Sequence, residues 1–195
     1  MIRARRWSRS PKGVLTLVLL AFILIAGRVE GARMVAPGVV AGAATAVILD
    51  SALRRLRGRR WASPTGALLT GLLVAMVLSP REPTAVVAGA AAVAILGKHL
   101  LRIQGGHVLN PAALGLVVVY YSADPGENWW GALTSIEPVA ATLLLLACGA
   151  LVADRVHRLP LALSFLGTFF ALCTAAALVG DRATTADVFV APDLY

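Results

Sequence analysis

The sequence predicts an all-α protein, a polytopic helix bundle in a membrane, and three observations support this prediction. Of the 195 residues, 58% are hydrophobic and only 14% are charged, whereas a soluble domain carries about 25% charged residues. The mean hydropathy is +0.80. The basic residues lie in short runs between long apolar segments, where membrane topology places them. The formal charge of +8 therefore indicates the lipid bilayer, and not nucleic acid, as the partner.

The apolar segments predict about six long spans and one short half-helix that follows a broken segment. A basic cytoplasmic N-terminus covers residues 1–12, the transmembrane bundle covers 13–180, and a polar tail covers 181–195. The predicted spans are 13–30, 35–53, 64–79, 84–101, 133–153 and 160–180, with the half-helix at 111–121. The first span is interpreted as uncleaved, because no small-residue cleavage site leads into a polar domain. The half-helix would be only about 16 Å long, roughly half of a ~30 Å hydrocarbon core.

The distribution of Lys and Arg predicts the topology. With the N-terminus in the cytoplasm, the cytoplasmic segments 1–12, 54–60, 98–102 and 155–158 hold fourteen of the 18 basic residues. The opposite side holds four: Arg28, Arg33, Arg81 and Arg182. This asymmetry follows the positive-inside rule for a multi-pass protein of the cell inner membrane. It holds only if segment 111–121 crosses the membrane.

The stretch 97–120 is predicted to be the functional centre, because it places polar residues inside a very apolar chain. Its break contains Gly105, Gly106 and His107, followed by Asn110 and Pro111. Asn suits the N-cap of a helix, and Pro suits its first position. The irregular piece 105–109 is expected to be buried in protein at membrane depth, since unshielded backbone is not tolerated there.

Two ionisable residues are candidates for an ion path, Lys98 and Glu137. Each also has a structural interpretation. Lys98 and the neighbouring His99 end a helix at the cytoplasmic face, where cations suit the helix dipole, and Glu137 lies in a first helical turn near the headgroups. Asp50 is expected to form an interfacial ion pair with Arg54, one helical turn away.

Other residues carry structural predictions. Segment 35–53 is rich in Gly and Ala, which let helix backbones approach closely in lipid. Cys148 and Cys173 lie inside apolar segments and are expected to act as small hydrophobic residues. The sequence contains no motif for a metal site or for a self-contained catalytic site.

Three stretches resemble the RnfD/NqrB family, whose members are membrane proteins of Rnf-type and Nqr-type electron-transport complexes. Residues 68–73 have the sequence Leu-Leu-Thr-Gly-Leu-Leu, and the apolar segment that contains them ends at Pro80, as in that family. Gly97-Lys98, followed by Gly105 and then by Leu109-Asn110-Pro111-Ala112, is similar to the family's Gly-Lys-Gln…Gly-Gln-Asn-x-Phe-Asn-Pro-Ala. Residues 161–166, after Pro160, resemble the start of a later family helix. The resemblance covers roughly residues 63–180.

The resemblance implies an integral subunit of a complex that couples electron flow to Na⁺ or H⁺ movement, with other membrane subunits as partners. Family members carry FMN on a Thr in a Ser-Gly-Ala-Thr-like loop, and this chain has no such loop between residues 121 and 133. His107, Gly106 and Leu109 also replace the family's Asn, Gln and Phe. A non-covalent FMN or riboflavin would then use Gly105, Gly106, His107, Asn110 and Pro111, because a helix N-terminus can hold anionic groups. Trp129 and Trp130 could stack on its ring.

Two alternatives stay open beside the redox subunit. One is a small transporter without a cofactor, because broken helices at the midplane commonly form ion or substrate sites. The other is an accessory or scaffold membrane protein that kept the fold without flavin. At most, the chain is expected to be one subunit of an enzyme complex.

Overall fold

The computed structural model describes residues 10–58, 63–103, 106–107, 109–123, 125–126 and 138–179. Within them the helices are α1 (Pro11–Ala26), α2 (Ala32–Leu56), α3 (Thr65–Val77), α4 (Thr84–Leu100), α5 (Pro111–Ala123), α6 (Pro138–Arg155) and α7 (Leu159–Val179). A π-helical turn, Gly27–Gly31, joins α1 to α2. Strands β1 (Arg102–Ile103) and β2 (Gly106–His107) form a two-residue antiparallel ladder. The predicted all-α fold is confirmed.

The helices differ in whether their length suffices to cross a membrane. The run Pro11–Leu56, 46 residues long, is the one helical segment of the described chain that is long and apolar enough to do so. Helices α3 and α5 have 13 residues each, or about 20 Å. The predicted half-helix is therefore no shorter than the helix in the predicted third span. The depth of each helix in a bilayer stays a prediction.

The chain changes direction at Gly31, between α1 and α2. Gly31 has φ 96° and ψ 120°, a backbone conformation outside the helical region that glycine adopts at little cost. Leu19 of α1 packs in one cluster with Leu69 of α3, and Ala46 of α2 packs in another with Ala67 of α3. A straight helix would separate Leu19 from Ala46 by about 40 Å, twice the length of α3. The two helices must therefore lie at an angle to each other.

Helix α2 packs closely against α3 through small residues. Gly71 of α3 lies against the carbonyl oxygen of Gly42, so closely that a Cβ atom at Gly71 would overlap that oxygen. The same added Cβ would lie 2.9 Å from the Cβ of Ala46. This is the close backbone approach that the Gly and Ala content of α2 predicts.

Helix α5 packs in the same manner against α4. A Cβ atom at Gly115 would overlap the carbonyl oxygen of Ala90, and would lie 2.9 Å from the Cβ of Ala94. Ala90 and Ala94 are fully buried. Helix α5 is therefore a tightly held part of the first unit despite its length.

The first unit, residues 1–148, also contains the turn between α3 and α4, the segment after α5 and the start of α6. After α3, Ser79 N–H donates to the carbonyl of Gly126, and Gly126 N–H donates to Oε1 of Glu82, both over 2.8 Å. These bonds tie the turn between α3 and α4 to the segment that follows α5. The start of α6 joins the core through Ala141, with Cys148 packed against the same cluster.

The second unit, residues 149–195, contains the end of α6 and all of α7. His157 adopts φ 54° in the connecting turn, and Arg158 N–H donates to the carbonyl of Ala153 over 2.9 Å. Helix α7 exposes large apolar side chains, including Leu161, Phe165 and Leu172. An apolar exposed surface is expected of a helix that contacts lipid or another membrane subunit.

Candidate functional site

The break between α4 and α5 contains the short β hairpin. The hairpin pairs Arg102 with His107 and Ile103 with Gly106. Gly105 lies outside the described residues, and only the backbone is described for Gly106 and His107. The roles predicted for these three residues therefore stay predictions.

Residues 105–109 were expected to be buried in protein, and Leu109, the one of them whose side-chain exposure is described, is exposed instead. Leu101 is 44% exposed and Leu109 is 51% exposed, and Asn110 is exposed as well. The physical reason lies in the hairpin, because its ladder satisfies backbone groups within the segment itself. This lowers the need for surrounding protein to shield them.

Asn110 and Pro111 begin α5 as predicted. Oδ1 of Asn110 accepts from Ala112 N–H over 3.0 Å, and the carbonyl of Asn110 accepts from Leu114 N–H over 3.0 Å. Pro111 has no N–H to offer. The Asn110 side chain thus caps the helix start at the N–H of Ala112. Trp129 and Trp130 lie outside the described residues, and flavin binding stays a prediction.

Among the candidates, Lys98 has the most informative position. Both Lys98 and His99 end α4 as predicted, but they are buried, with 8% and 6% of their surfaces exposed. The predicted helix end is thus confirmed, the two side chains are buried within the chain, and their location at the cytoplasmic face stays a prediction. They face Asp50 of α2, which is completely buried. Glu137, the other ion-path candidate, lies outside the described residues.

Asp50 is the buried centre of a charged cluster that reaches the surface and that we call the Asp50 cluster: Asp50, Arg54, Arg57, Lys98 and His99. Oδ2 of Asp50 accepts from Nε of Arg54 over 2.6 Å, which confirms the predicted ion pair. Oδ1 lies 2.8 Å from Nε2 of His99 and 3.1 Å from Nζ of Lys98. Oδ2 therefore contacts a donor of α2 itself, whereas Oδ1 contacts two donors of α4.

Arg57 closes the cluster at the surface. Its Nη1 donates to the carbonyl oxygen of His99 over 3.1 Å and lies 3.5 Å from Nδ1 of the same residue. Because a guanidinium can only donate, Nδ1 of His99 is the acceptor, and the hydrogen resides on Nε2, facing Asp50. With this hydrogen position, the imidazole of His99 accepts from Arg57 and donates to Asp50.

The cluster is positive overall. Three basic side chains, Arg54, Arg57 and Lys98, accompany the single carboxylate of Asp50. The C-terminal ends of α2 and α4 meet here, and the negative ends of their dipoles favour nearby cations. Helix geometry therefore stabilises part of the excess charge.

This arrangement suits an anion better than a metal cation. The oxygens of Asp50 already contact nitrogen donors, and Lys98 and Arg54 repel a second cation. In the described part of the chain there is also no group of three or more His, Cys, Asp or Glu side chains that could hold a metal ion. Lys98 as an ion-path residue stays a prediction, and its surroundings favour a role in joining α2 to α4.

Sequence reasoning found only the Asp50–Arg54 half of this cluster. That pair follows from helical spacing, whereas the contacts with Lys98 and His99 join residues 48 and 49 positions apart. A usable signal was present in the rule that ionisable groups within membrane segments pair with one another. By that rule, an acid near the end of one span and two basic residues near the end of another are candidates for a pair.

Comparison with known protein families places these features in context. The family model described as NQR2, RnfD, RnfE family matches residues 4–132, about two thirds of the chain. The chain is a member of this family. The match covers α1 to α5 and includes every residue of the Asp50 cluster. A search of curated proteins finds no significant match.

Membership in the NQR2, RnfD, RnfE family confirms the resemblance seen in the sequence. The match begins nearer the N-terminus than the predicted limit of residue 63, and it ends before α6. The chain is accordingly a membrane-integral protein of a family whose members are subunits of electron-transport complexes. Such subunits work beside other membrane subunits.

Proposed function

We propose that the chain is an integral subunit of an Rnf- or Nqr-like electron-transport complex that couples electron transfer to ion translocation. The observation that carries the proposal is the family match over residues 4–132. The packing within that region supports it, because close backbone contacts join α2 to α3 and α4 to α5. Closely packed helices can maintain fixed positions for neighbouring redox subunits.

The proposed location is the cell inner membrane, with the N-terminus in the cytoplasm. The support is the distribution of fourteen of the 18 basic residues on one side. The Asp50 cluster would then lie toward the cytoplasmic face, with Arg57 at its exposed end. In this orientation, the cluster joins α2 and α4 at their cytoplasmic ends.

Ion translocation in this proposal does not pass through the Asp50 cluster. A cation moving along that route would meet Lys98 and Arg54 beside an already neutralised carboxylate. The ion path is expected between this chain and its partner subunits. Glu137 remains the candidate acid for such a path.

The test uses the protein in its own membrane. A tagged full-length chain is purified in mild detergent, and co-purifying proteins are identified by mass spectrometry. The purified assembly is then reconstituted in proteoliposomes with an electron donor. Co-purification of redox subunits, with donor-dependent ion uptake that an ionophore abolishes, is the expected result. Isolation of the chain without redox subunits from cells that express them would contradict the proposal.

A cofactor-free transporter is the second candidate, and the break between α4 and α5 favours it, because interrupted helices commonly line binding sites. Its test is ion or solute flux by the isolated full chain in liposomes. Flux without any partner or electron donor would support the transporter. Flux that requires the assembled complex and its donor would support the redox subunit.

A further inference from the structure

The elbow between α1 and α2 contains an apolar groove that we call the elbow groove. It has a volume of about 530 Å³ and is lined by both helices and by the π-helical turn between them. The lining residues are Ile23, Leu24, Gly27, Arg28, Ala32, Val35, Ala36, Val39 and Val40. Because Gly27, Ala32 and Ala36 are small, the space between the helices stays open. Its volume lies within the range of about 300–1,000 Å³ that small-molecule sites have.

The walls of the elbow groove are apolar, and its charge lies at the corner. Leu24 and Val40 are 71% and 63% exposed, whereas Val35 is buried. Arg28 belongs to the π-helical turn and is exposed. Among the described residues that line the groove, Arg28 alone is ionisable, and no ion pair joins it to another described residue. The groove therefore complements a ligand with an anionic end and an apolar body.

The size of the elbow groove favours a flexible chain over a helix of a partner subunit. An α-helix with its side chains is about 10–12 Å across, so a volume of 530 Å³ holds only about one helical turn. An acyl chain is narrower and can follow the space between two helices. Arg28 and Ala32 mark the corner, and Leu24 and Val40 lie about one and two turns from it along α1 and α2. A headgroup and an acyl chain thus find their partners in one continuous groove.

We infer that the elbow groove binds an anionic phospholipid, with the phosphate at the guanidinium of Arg28 and one acyl chain along Leu24 and Val40. The second acyl chain remains in the bilayer. The proposed topology puts the elbow on the outer side, at the end of predicted span 13–30, so Arg28 lies at headgroup level. A guanidinium suits this position because its planar set of N–H donors matches a phosphate. The inference goes beyond the proposed function, since it requires only the membrane-integral chain that the family match shows.

The headgroup contact is tested by native mass spectrometry of the full-length chain. Detergent-purified protein is titrated with phosphatidylglycerol and with phosphatidylcholine of identical acyl chains. The wild type is expected to bind phosphatidylglycerol more tightly, and Arg28→Gln is expected to weaken that binding roughly fivefold. Arg33→Gln is the matched control, because Arg33 is exposed in the first turn of α2 and does not line the groove. Equal weakening by both variants, or no preference in the wild type, would overturn the inference.

A second pair of variants tests the acyl chain. Ala36→Leu places a larger side chain in the elbow groove and is expected to weaken the binding of both lipids. Ala21→Leu adds the same atoms at an exposed position of α1 outside the groove, and both affinities should stay unchanged. Unaltered binding by Ala36→Leu would overturn the assignment, as would a wild type that accepts lipid only after a co-purified protein is removed. These results do not depend on redox subunits or an electron donor, so this inference and the proposed function can fail independently.

Discussion

The imidazole of His99 donates from Nε2 to Oδ1 of Asp50 over 2.8 Å, although the two residues lie 49 positions apart. This bond joins the C-terminal turn of α4 to the last turns of α2. Asp50 is fully buried, so its charge depends on the donors around it. The first two predictions follow from this dependence.

Asp50→Asn is expected to destabilise the protein strongly. The substitution removes the single carboxylate and leaves Lys98 and Arg54 beside a neutral amide in a buried site. Removal of one partner of a buried ion pair costs about 3–5 kcal/mol. The free energy of unfolding in detergent, measured by denaturant titration, checks this value. The control is Asp154→Asn at an exposed position, for which a change within about 0.5 kcal/mol is expected; similar losses in both variants would contradict the prediction.

His99→Gln and His99→Leu are expected to differ. A glutamine amide can still donate a hydrogen to Asp50, whereas leucine leaves one of the carboxylate contacts unmade. The loss of a hydrogen bond to a charged group costs about 1.5–3 kcal/mol. Thermal unfolding in detergent should therefore rank the wild type above His99→Gln, and His99→Gln above His99→Leu. Equal melting temperatures for the two variants would show that the imidazole acts only by filling space.

Sequence reasoning predicted the helices well and the cluster poorly, for a physical reason. Helix formation depends on local apolar segments and on breakers such as Pro80 and Pro83, which a single chain displays. The pairing of Asp50 with His99 depends on how α2 and α4 pack against each other. That register is set by contacts across the bundle and has no local signal.

The break between α4 and α5 shows the same limit. Its position and the cap by Asn110 could be predicted, because both follow from residue type. The hairpin between residues 102 and 107 could not, since a two-residue ladder has too few positions for an alternating pattern. The expected burial of residues 105–109 was consequently wrong at Leu109, which is 51% exposed.

Gly71→Ala is expected to loosen the contact between α2 and α3. The added methyl group would overlap the carbonyl oxygen of Gly42, so the helices must separate. Overpacking of this kind costs about 1–3 kcal/mol. The melting temperature in detergent checks it against Gly89→Ala, whose added Cβ has no neighbouring atom within 4 Å. Because alanine is the better helix former, the control should match or exceed the wild type; a control as unstable as Gly71→Ala would refute the packing argument.

The chain is expected to carry no covalently bound flavin. The Ser-Gly-Ala-Thr-like loop that the family resemblance associates with FMN is missing from the sequence between residues 121 and 133. The chain purified from its native complex and then denatured should show no added mass of FMN. Any flavin in the complex that belongs to this subunit should be released by acid and should fluoresce in the supernatant. A chain that retains the mass of FMN after denaturation would disprove this prediction.

The last prediction concerns the topology and depends on whether α5 crosses the membrane. Ser63 precedes α3 and Ser122 lies near the end of α5, and both are exposed. Three helices separate them, so an α5 that crosses places them on opposite sides. We expect Ser63→Cys to be cytoplasmic and Ser122→Cys to be on the outer side. Both substitutions replace an oxygen by a sulfur, which makes them a matched pair.

The measurement is labelling by a membrane-impermeant maleimide, in a background with Cys148→Ala and Cys173→Ala. In cells whose inner membrane is intact, Ser122→Cys should be labelled and Ser63→Cys should be protected until that membrane is permeabilised. Helix α5 has only 13 residues, but α3 has the same length. Gly115 lets the backbone of α5 pack directly against Ala90 of α4. Close packing beside a neighbouring helix lets a short helix span a locally thinned bilayer at modest cost. Labelling of both cysteines from the same side would show that α5 re-enters without crossing, and the fourteen-to-four division of basic residues would lose its basis.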